Sequence, residues 1–308
     1  MDILCLGILV VDVVAKPIEK MPDKGKLELV DTMELHTGGC ASNTGYALGK
    51  LGISTGLMGK VGIDGFGDFL IDYMENSGLD TRGIKRTSSV NTSGTMVMVS
   101  ADGERTFFHY LGANAELCYD DVDFDILREA KILHIAGTFL MPKFDGEAAA
   151  RVLKQARGWG IITSLDTAWD SKGNWMKVLE PCLKHLDIFM PSIEEARMIT
   201  GKETPSEIAE FLLSYGIGAV ALKMGEQGSY VRTRDLEISL PIYQVDSVDA
   251  TGAGDAFAAG LLAGISRGMS EKEAAELGNA VGACCVTSMG ATAGVKNMEE
   301  TLAFMNKI

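Results

Sequence analysis

The stretch DATGAGDAFAAG, Asp249 to Gly260, sets two carboxylates six positions apart, with two glycines between them and an alanine-rich run behind. A helix beginning near Gly252 leaves the backbone N–H groups of Ala253, Gly254 and Asp255 without partners inside the helix, and small side chains let a ligand reach those donors. Helix N-termini attract anions for that reason. An acidic residue in the first turn also complements the helix dipole by up to about 1 kcal/mol. On this stretch alone an anion site and a merely acidic helix start both stay open.

Three further glycine clusters lie outward from it. GGCASNTGYALGKLG, Gly38 to Gly52, puts two glycines and an asparagine ahead of an amphipathic helix. GKVGIDGFGDFL, Gly59 to Leu70, marks a second strand-to-helix junction, and KMGEQGSYV, Lys223 to Val231, reads as a strand that turns back in a hairpin. Between them short apolar runs (DILCLG, KILHIAG, IITSLD, DIFMPS, AVALKMG) alternate with segments of helical period. In FGDFLIDYMENSG the residues Phe66, Phe69, Leu70, Tyr73 and Met74 share a helical face, as do Ala149, Val152, Leu153 and Ala156 further on. That alternation predicts a mainly parallel sheet covered by helices on both faces, and four glycine clusters at strand ends point to its carboxyl edge, where ligands bind. Two regions break the rhythm: Val10 to His36 and Gly94 to Tyr110 are strand-like with turn signals and no helix. They predict a small separate sheet serving as a lid. The C-terminal third reads as helical, ending in a short helix near Asn297 to Asn306.

With 308 residues, 46% hydrophobic and 23% charged, the composition is that of a globular chain able to bury a large core. The formal charge of −14 repels nucleic acid and anionic lipid, so neither is expected as a partner, and any phosphate ligand needs local donors. The apolar N-terminus lacks a basic region and is broken by Asp12, so it reads as a first strand and not a signal peptide. No run approaches the roughly 18 apolar residues of a membrane span. Six cysteines without CxxC spacing read as buried thiols in a reducing cytoplasm.

Taken together and in order along the chain, GGCASN, VGIDGFG, KMGEQG and DATGAGD resemble the GGxxxN, VGxDxxG, TLGxxG and DTxGAGD motifs of the ribokinase-like (PfkB) family of carbohydrate kinases. The resemblance implies a three-layer α/β/α fold in a single kinase domain spanning 1–308, with a β-sheet lid from insertions at about 11–36 and 94–112. It implies ATP-dependent transfer of the γ-phosphoryl group to a primary hydroxyl of a small sugar. By position, Asp255 resembles the general base, worth roughly 10²- to 10⁴-fold in rate. Gly252, Ala253 and Gly254 resemble the anion hole, where one donor is worth about 3 kcal/mol. Asp12, Gly38, Gly39 and Asn43 match positions that hold sugar hydroxyls, with His109 and Asn114 facing the sugar from the lid side. Lys223, Gly225, Gly228 and Asn279 match the nucleotide side. Mg²⁺ is expected to arrive with ATP, Glu195 being its indirect carboxylate partner. Asp249, with carbonyls near Thr251 and the loop 287–294, resembles a monovalent-cation (K⁺) site of some members.

The chain departs from the family in places. Ser192 stands where NxxE has its asparagine, leaving Glu195, and DTAWD replaces DPN, keeping Asp166 and adding Trp169. Lys223 takes the place of a common threonine. Cys40 stands beside the second glycine where a lysine could pair with a sugar phosphate, which disfavours phosphorylated acceptors. GYALGK is one residue short of a P-loop, and HExxH, GxSxG and EF-hand spacings are absent. His134 and His185 read as structural. Two other readings stand beside the sugar kinase: a nucleoside kinase of the same family, which would need apolar surface to hold a base on the lid side, and a non-catalytic ligand-binding relative. The lid, whose edges another copy could cover, predicts a homodimer.

Overall fold

The computed structural model describes residues 1–306. The strands of its larger sheet are β1 (Ile3–Gly7), β4 (Thr55–Gly62), β5 (Asp80–Thr87), β8 (Ile132–Thr138), β9 (Ile162–Thr167), β10 (Ile188–Phe189), β11 (Ala219–Lys223), β12 (Ser229–Thr233) and β13 (Glu237–Leu240). The smaller sheet holds β2 (Val10–Lys16), β3 (Thr32–Gly38), β6 (Gly94–Val99) and β7 (Arg105–Tyr110). The helices are α1 (Cys40–Lys50), α2 (Gly65–Asn76), α3 (Phe124–Arg128), α4 (Glu147–Gly158), α5 (Met176–Leu183), α6 (Ile193–Thr200), α7 (Pro205–Leu213), α8 (Ala253–Ser266), α9 (Glu271–Cys285) and α10 (Met298–Met305).

Strand β1 explains the layering. All five of its residues are buried, and alternation sends Ile3 and Cys5 into one apolar cluster and Leu4 and Leu6 into another. The first cluster is completed by α1, α2, α8 and α9, the second by α4, α5, α6 and α7. The sheet order is β13-β12-β11-β10-β9-β8-β1-β4-β5, parallel except at β11–β12 and β12–β13. This is the three-layer α/β/α arrangement expected from the alternating pattern, with the β11–β12 hairpin at KMGEQGSYV.

The smaller sheet runs β3-β2-β6-β7, with β2 and β6 parallel and the outer pairs antiparallel. Its strands come from both regions that broke the helical rhythm. The first is strand only at its ends: residues 17–31 carry no strand, and Leu27 and Leu29 are 76% and 87% exposed. Pro17, Pro22 and the charges around them leave that stretch without an apolar face to bury. Strand β5, DTRGIKRT, escapes the apolar-run rule because it is an edge strand burying only Gly83 and Ile84. On α2 the sequence places too much inside: Leu70 and Met74 are buried, whereas Tyr73 is 37% exposed.

Candidate active site

Helix α8 starts at the carboxyl edge of the large sheet, and its first turn is built on Gly252. That residue has φ of 78°, and a Cβ there would collide with the Ala291 carbonyl, so only glycine fits. The N–H groups of Gly252, Gly254 and Asp255 have no acceptor among the described residues, while the Ala253 N–H donates to the Ala250 carbonyl at 3.2 Å. Of the groups read as an anion hole, the Ala253 N–H is turned to the loop, while those of Gly252 and Gly254, with that of Asp255, are unpartnered among the described residues.

Asp255 opens from this turn into a cavity of about 400 Å³. Asn43 Nδ2 donates to Asp255 Oδ2 at 2.8 Å, holding the carboxylate at a fixed angle, and Asn43 Oδ1 is buried without a partner. Asn43 thus touches the Asp255 carboxylate directly and keeps one amide acceptor unpartnered. Burial raises the Asp255 carboxyl above the ordinary aspartate range, against the opposing pull of Asn43 and the Lys223 charge.

Beneath Asp255 the structure places Lys223 at the end of β11, with Nζ 2.6 and 2.5 Å from the two oxygens of buried Asp166 at the end of β9. Burial works against the Lys223 charge, but Asp166, Glu195 and Asp255 together hold its ammonium above the ordinary lysine range. A side chain at Gly254 would begin 3.4 Å from Lys223 Nζ, so this cation lies under the free N–H groups. Lys223 Nζ, ion-paired to Asp166, therefore lies beneath the unpartnered N–H groups at the start of α8.

The lid forms the opposite wall. Its register sets four residues in one row, His36 opposite Asp12, Asp12 opposite Thr95, and Thr95 opposite His109. All four line the cavity, and Thr95 Oγ1 lies 3.1 Å from His109 Nδ1. Burial raises Asp12, against the bond from Thr95 and the nearby His109 and His36; burial lowers His109 despite Asp12. Gly38 is bare because a Cβ would strike the Asp12 carboxylate, and Gly39, with φ of 92°, caps α1 where a side chain would meet the Ile8 carbonyl. Asn114 does not join them. It sits in a short 3₁₀ turn with Oδ1 accepting from Leu9 N–H at 3.1 Å and Nδ2 donating to Leu9 O at 3.0 Å, so both ends of its amide pin the β1–β2 connection.

Asp249 is held by the chain through both of its carboxylate oxygens. Its Oδ1 accepts from Arg105 Nη1 at 2.6 Å and from Thr251 N–H at 2.8 Å, and its Oδ2 accepts from Gly290 N–H at 2.9 Å. The positive charge beside it is the guanidinium of Arg105 on β7. Arg105 and His36 were not found from sequence. Both alternate inward along their strands, but only the cross-strand register shows what they face.

On the nucleotide side Gly225 and Gly228 shape the β11–β12 turn, and Gly228 packs against the Leu240 carbonyl at the end of β13. Asn279 on α9 is buried, with Nδ2 donating to Pro241 O at 3.0 Å, so it ties α9 to the same strand end. For a metal ion, Glu195 offers limited capacity: its Oε2 already accepts from Ser192 N–H at 3.0 Å and Thr167 Oγ1 at 2.9 Å. Among the described residues no group of three or more His, Cys, Asp or Glu is placed to hold a metal directly. Such a donor set fits Mg²⁺ carried mainly by phosphate oxygens and water.

The pfkB family carbohydrate kinase profile matches residues 1–298. The chain is 30% identical over 294 residues to a 2-dehydro-3-deoxygluconokinase of Bacillus subtilis, covering 92% of this chain and 90% of that one. Its structure is similar to that of a ribokinase from Thermotoga maritima (TM-score 0.86, 26% identity, 99% of each chain covered). It is also similar to a ribokinase from Arabidopsis thaliana complexed with ribose and ATP (TM-score 0.85, 25% identity, 99% and 98% covered). With four motifs at the carboxyl edge of one sheet and a match of this extent, the chain belongs to the pfkB family of carbohydrate kinases, enzymes that transfer a phosphoryl group to an alcohol.

Proposed function

We propose that this protein transfers the γ-phosphoryl group of ATP, with Mg²⁺, to a primary hydroxyl of a small sugar. Asp255 takes the hydroxyl proton, and the free N–H groups at the start of α8 receive the charge that develops on the phosphoryl oxygens. The observation that carries this reading is the position of Asp255: one carboxylate, fixed by Asn43, borders both the free N–H groups and the cavity roofed by the lid. Lys223, ion-paired to Asp166, adds positive potential beneath the same point. When bound, Mg²⁺ supplies charge neutralisation on the phosphates, with Glu195 reaching it through water. Residues 1–308 act as one unit, the segments at about 11–36 and 94–112 closing over the acceptor.

The row His36–Asp12–Thr95–His109 suits a polyol, because it alternates acceptors and donors along one line. A nucleoside acceptor is favoured by one feature: beyond that row the cavity wall is apolar, with Val14, Val97, Val99, Phe107 and Met289. Six free cysteines fit a reducing cytoplasm. No helix among the described residues is long and apolar enough to cross a membrane.

The test is ADP release from ATP–Mg²⁺ across a panel of neutral sugars, sugar acids and nucleosides, with an EDTA arm. Release that depends on one acceptor and on Mg²⁺ supports the reading. No release across the panel supports the non-catalytic alternative, and acceptor-independent release, being hydrolysis of ATP, contradicts transfer to a sugar.

A further inference from the structure

Arg105 opens β7 on the inner face of the lid, opposite Val99, and borders the acceptor cavity. Its Nη1 crosses to the body of the protein, donating to Asp249 Oδ1 at 2.6 Å and contacting the Thr251 hydroxyl. Asp249 is 6% exposed and holds two further donors, the N–H groups of Thr251 and Gly290. One carboxylate thus gathers three separate parts of the molecule. Arg105 comes from the lid, Thr251 immediately precedes the Gly252 turn, and Gly290 precedes Ala291, whose carbonyl packs on Gly252.

We propose that Arg105 is a positioning residue that couples closure of the lid to the geometry of the anion hole. The acceptor cavity lies beneath the sheet that carries Arg105, and lifting that sheet to admit an acceptor moves Arg105 away from Asp249. The move strips a buried carboxylate of its only cationic donor among the described residues and releases the Thr251 hydroxyl, loosening the turn that aims the free N–H groups. Closure over the acceptor restores both contacts and sets the turn. Water entering an open site then meets a poorly aimed anion hole, which suppresses wasteful hydrolysis of ATP. The coupling rests on the phosphoryl-transfer reading above, but the contact itself is testable without turnover.

The experiment compares wild type with Arg105→Ala and Arg105→Lys, reading kcat, KM and amide hydrogen exchange over residues 249–254. Arg105→Ala is expected to lower kcat by roughly ten- to a hundredfold, as misplacement of a reacting group does, with KM for ATP changed little. Exchange over 249–254 should accelerate. Arg105→Lys, or ethylguanidinium added to the alanine variant, should recover part of the kcat, which a purely structural loss would not allow. A kcat within about twofold of wild type in Arg105→Ala overturns the proposal, as does a loss that neither lysine nor ethylguanidinium repairs. Should wild type transfer no phosphoryl group at all, the functional reading fails separately, and unchanged exchange in Arg105→Ala would then overturn the latch itself.

Discussion

At Asp255 burial competes with three favourable contacts, the Asn43 amide, the Lys223 charge and the Cys40 thiol, and burial prevails, leaving the carboxyl above its ordinary value of 3.8. A base must be ionised to accept a proton. Below the raised pKa it is protonated and idle, so kcat/KM for the acceptor is expected to rise with pH along an acid limb centred above 3.8. Because the Asn43 bond pulls that value down, Asn43→Ala should move the limb to higher pH, and a pH–rate profile of the two proteins checks it. A limb that stays put or moves down would assign the ionisation to another group, such as Asp166, which Asn43 does not touch. Residue identity was legible here because the motif fixes Asp255 and Asn43 by position. Their mutual contact was not, since they lie 212 residues apart in sequence.

Among the elements, α6 shows how a departure from the family pattern is absorbed. Ser192 caps the helix, its hydroxyl accepting from the Glu195 N–H at 3.3 Å while the Glu195 carboxylate accepts from the Ser192 N–H, with Thr167 as a third member. Ser192→Ala should therefore cost about 1 kcal/mol, lowering the melting temperature by roughly 2 °C for a chain of this size. Thermal denaturation reads this directly, and an unchanged midpoint would show the cap to be idle. The helices and buried strands were readable from apolar period, because burial on both faces leaves continuous hydrophobic runs. Strand β5 was not, since an edge strand needs no such run, and neither was the lid register, which depends on pairing between segments about eighty residues apart in sequence. That register brings His36 and Arg105 to the cavity.

For the whole molecule, a charge of −14 means that the proposed function requires attraction of a nucleotide to be local, through Lys223 and the α8 N-terminus, against an unfavourable overall field. The lid also has an outer face. There Met33, Leu35, Met96, Phe108 and Tyr110 are each between 45% and 67% exposed, an apolar surface of the kind two copies bury against each other. A homodimer through the lid is expected, and sedimentation should show Phe108→Glu shifted to monomer; equal behaviour of variant and wild type would contradict it.

The central claim is that Asp255 transfers a proton in phosphoryl transfer without building the nucleotide site. Single-turnover transfer from γ-labelled ATP, measured for wild type and Asp255→Asn with the acceptor found in the panel, tests it most directly. The account predicts a rate lowered by about 10²- to 10⁴-fold in the variant, with the affinity for ATP–Mg²⁺ essentially kept. Transfer at the wild-type rate in Asp255→Asn would contradict it.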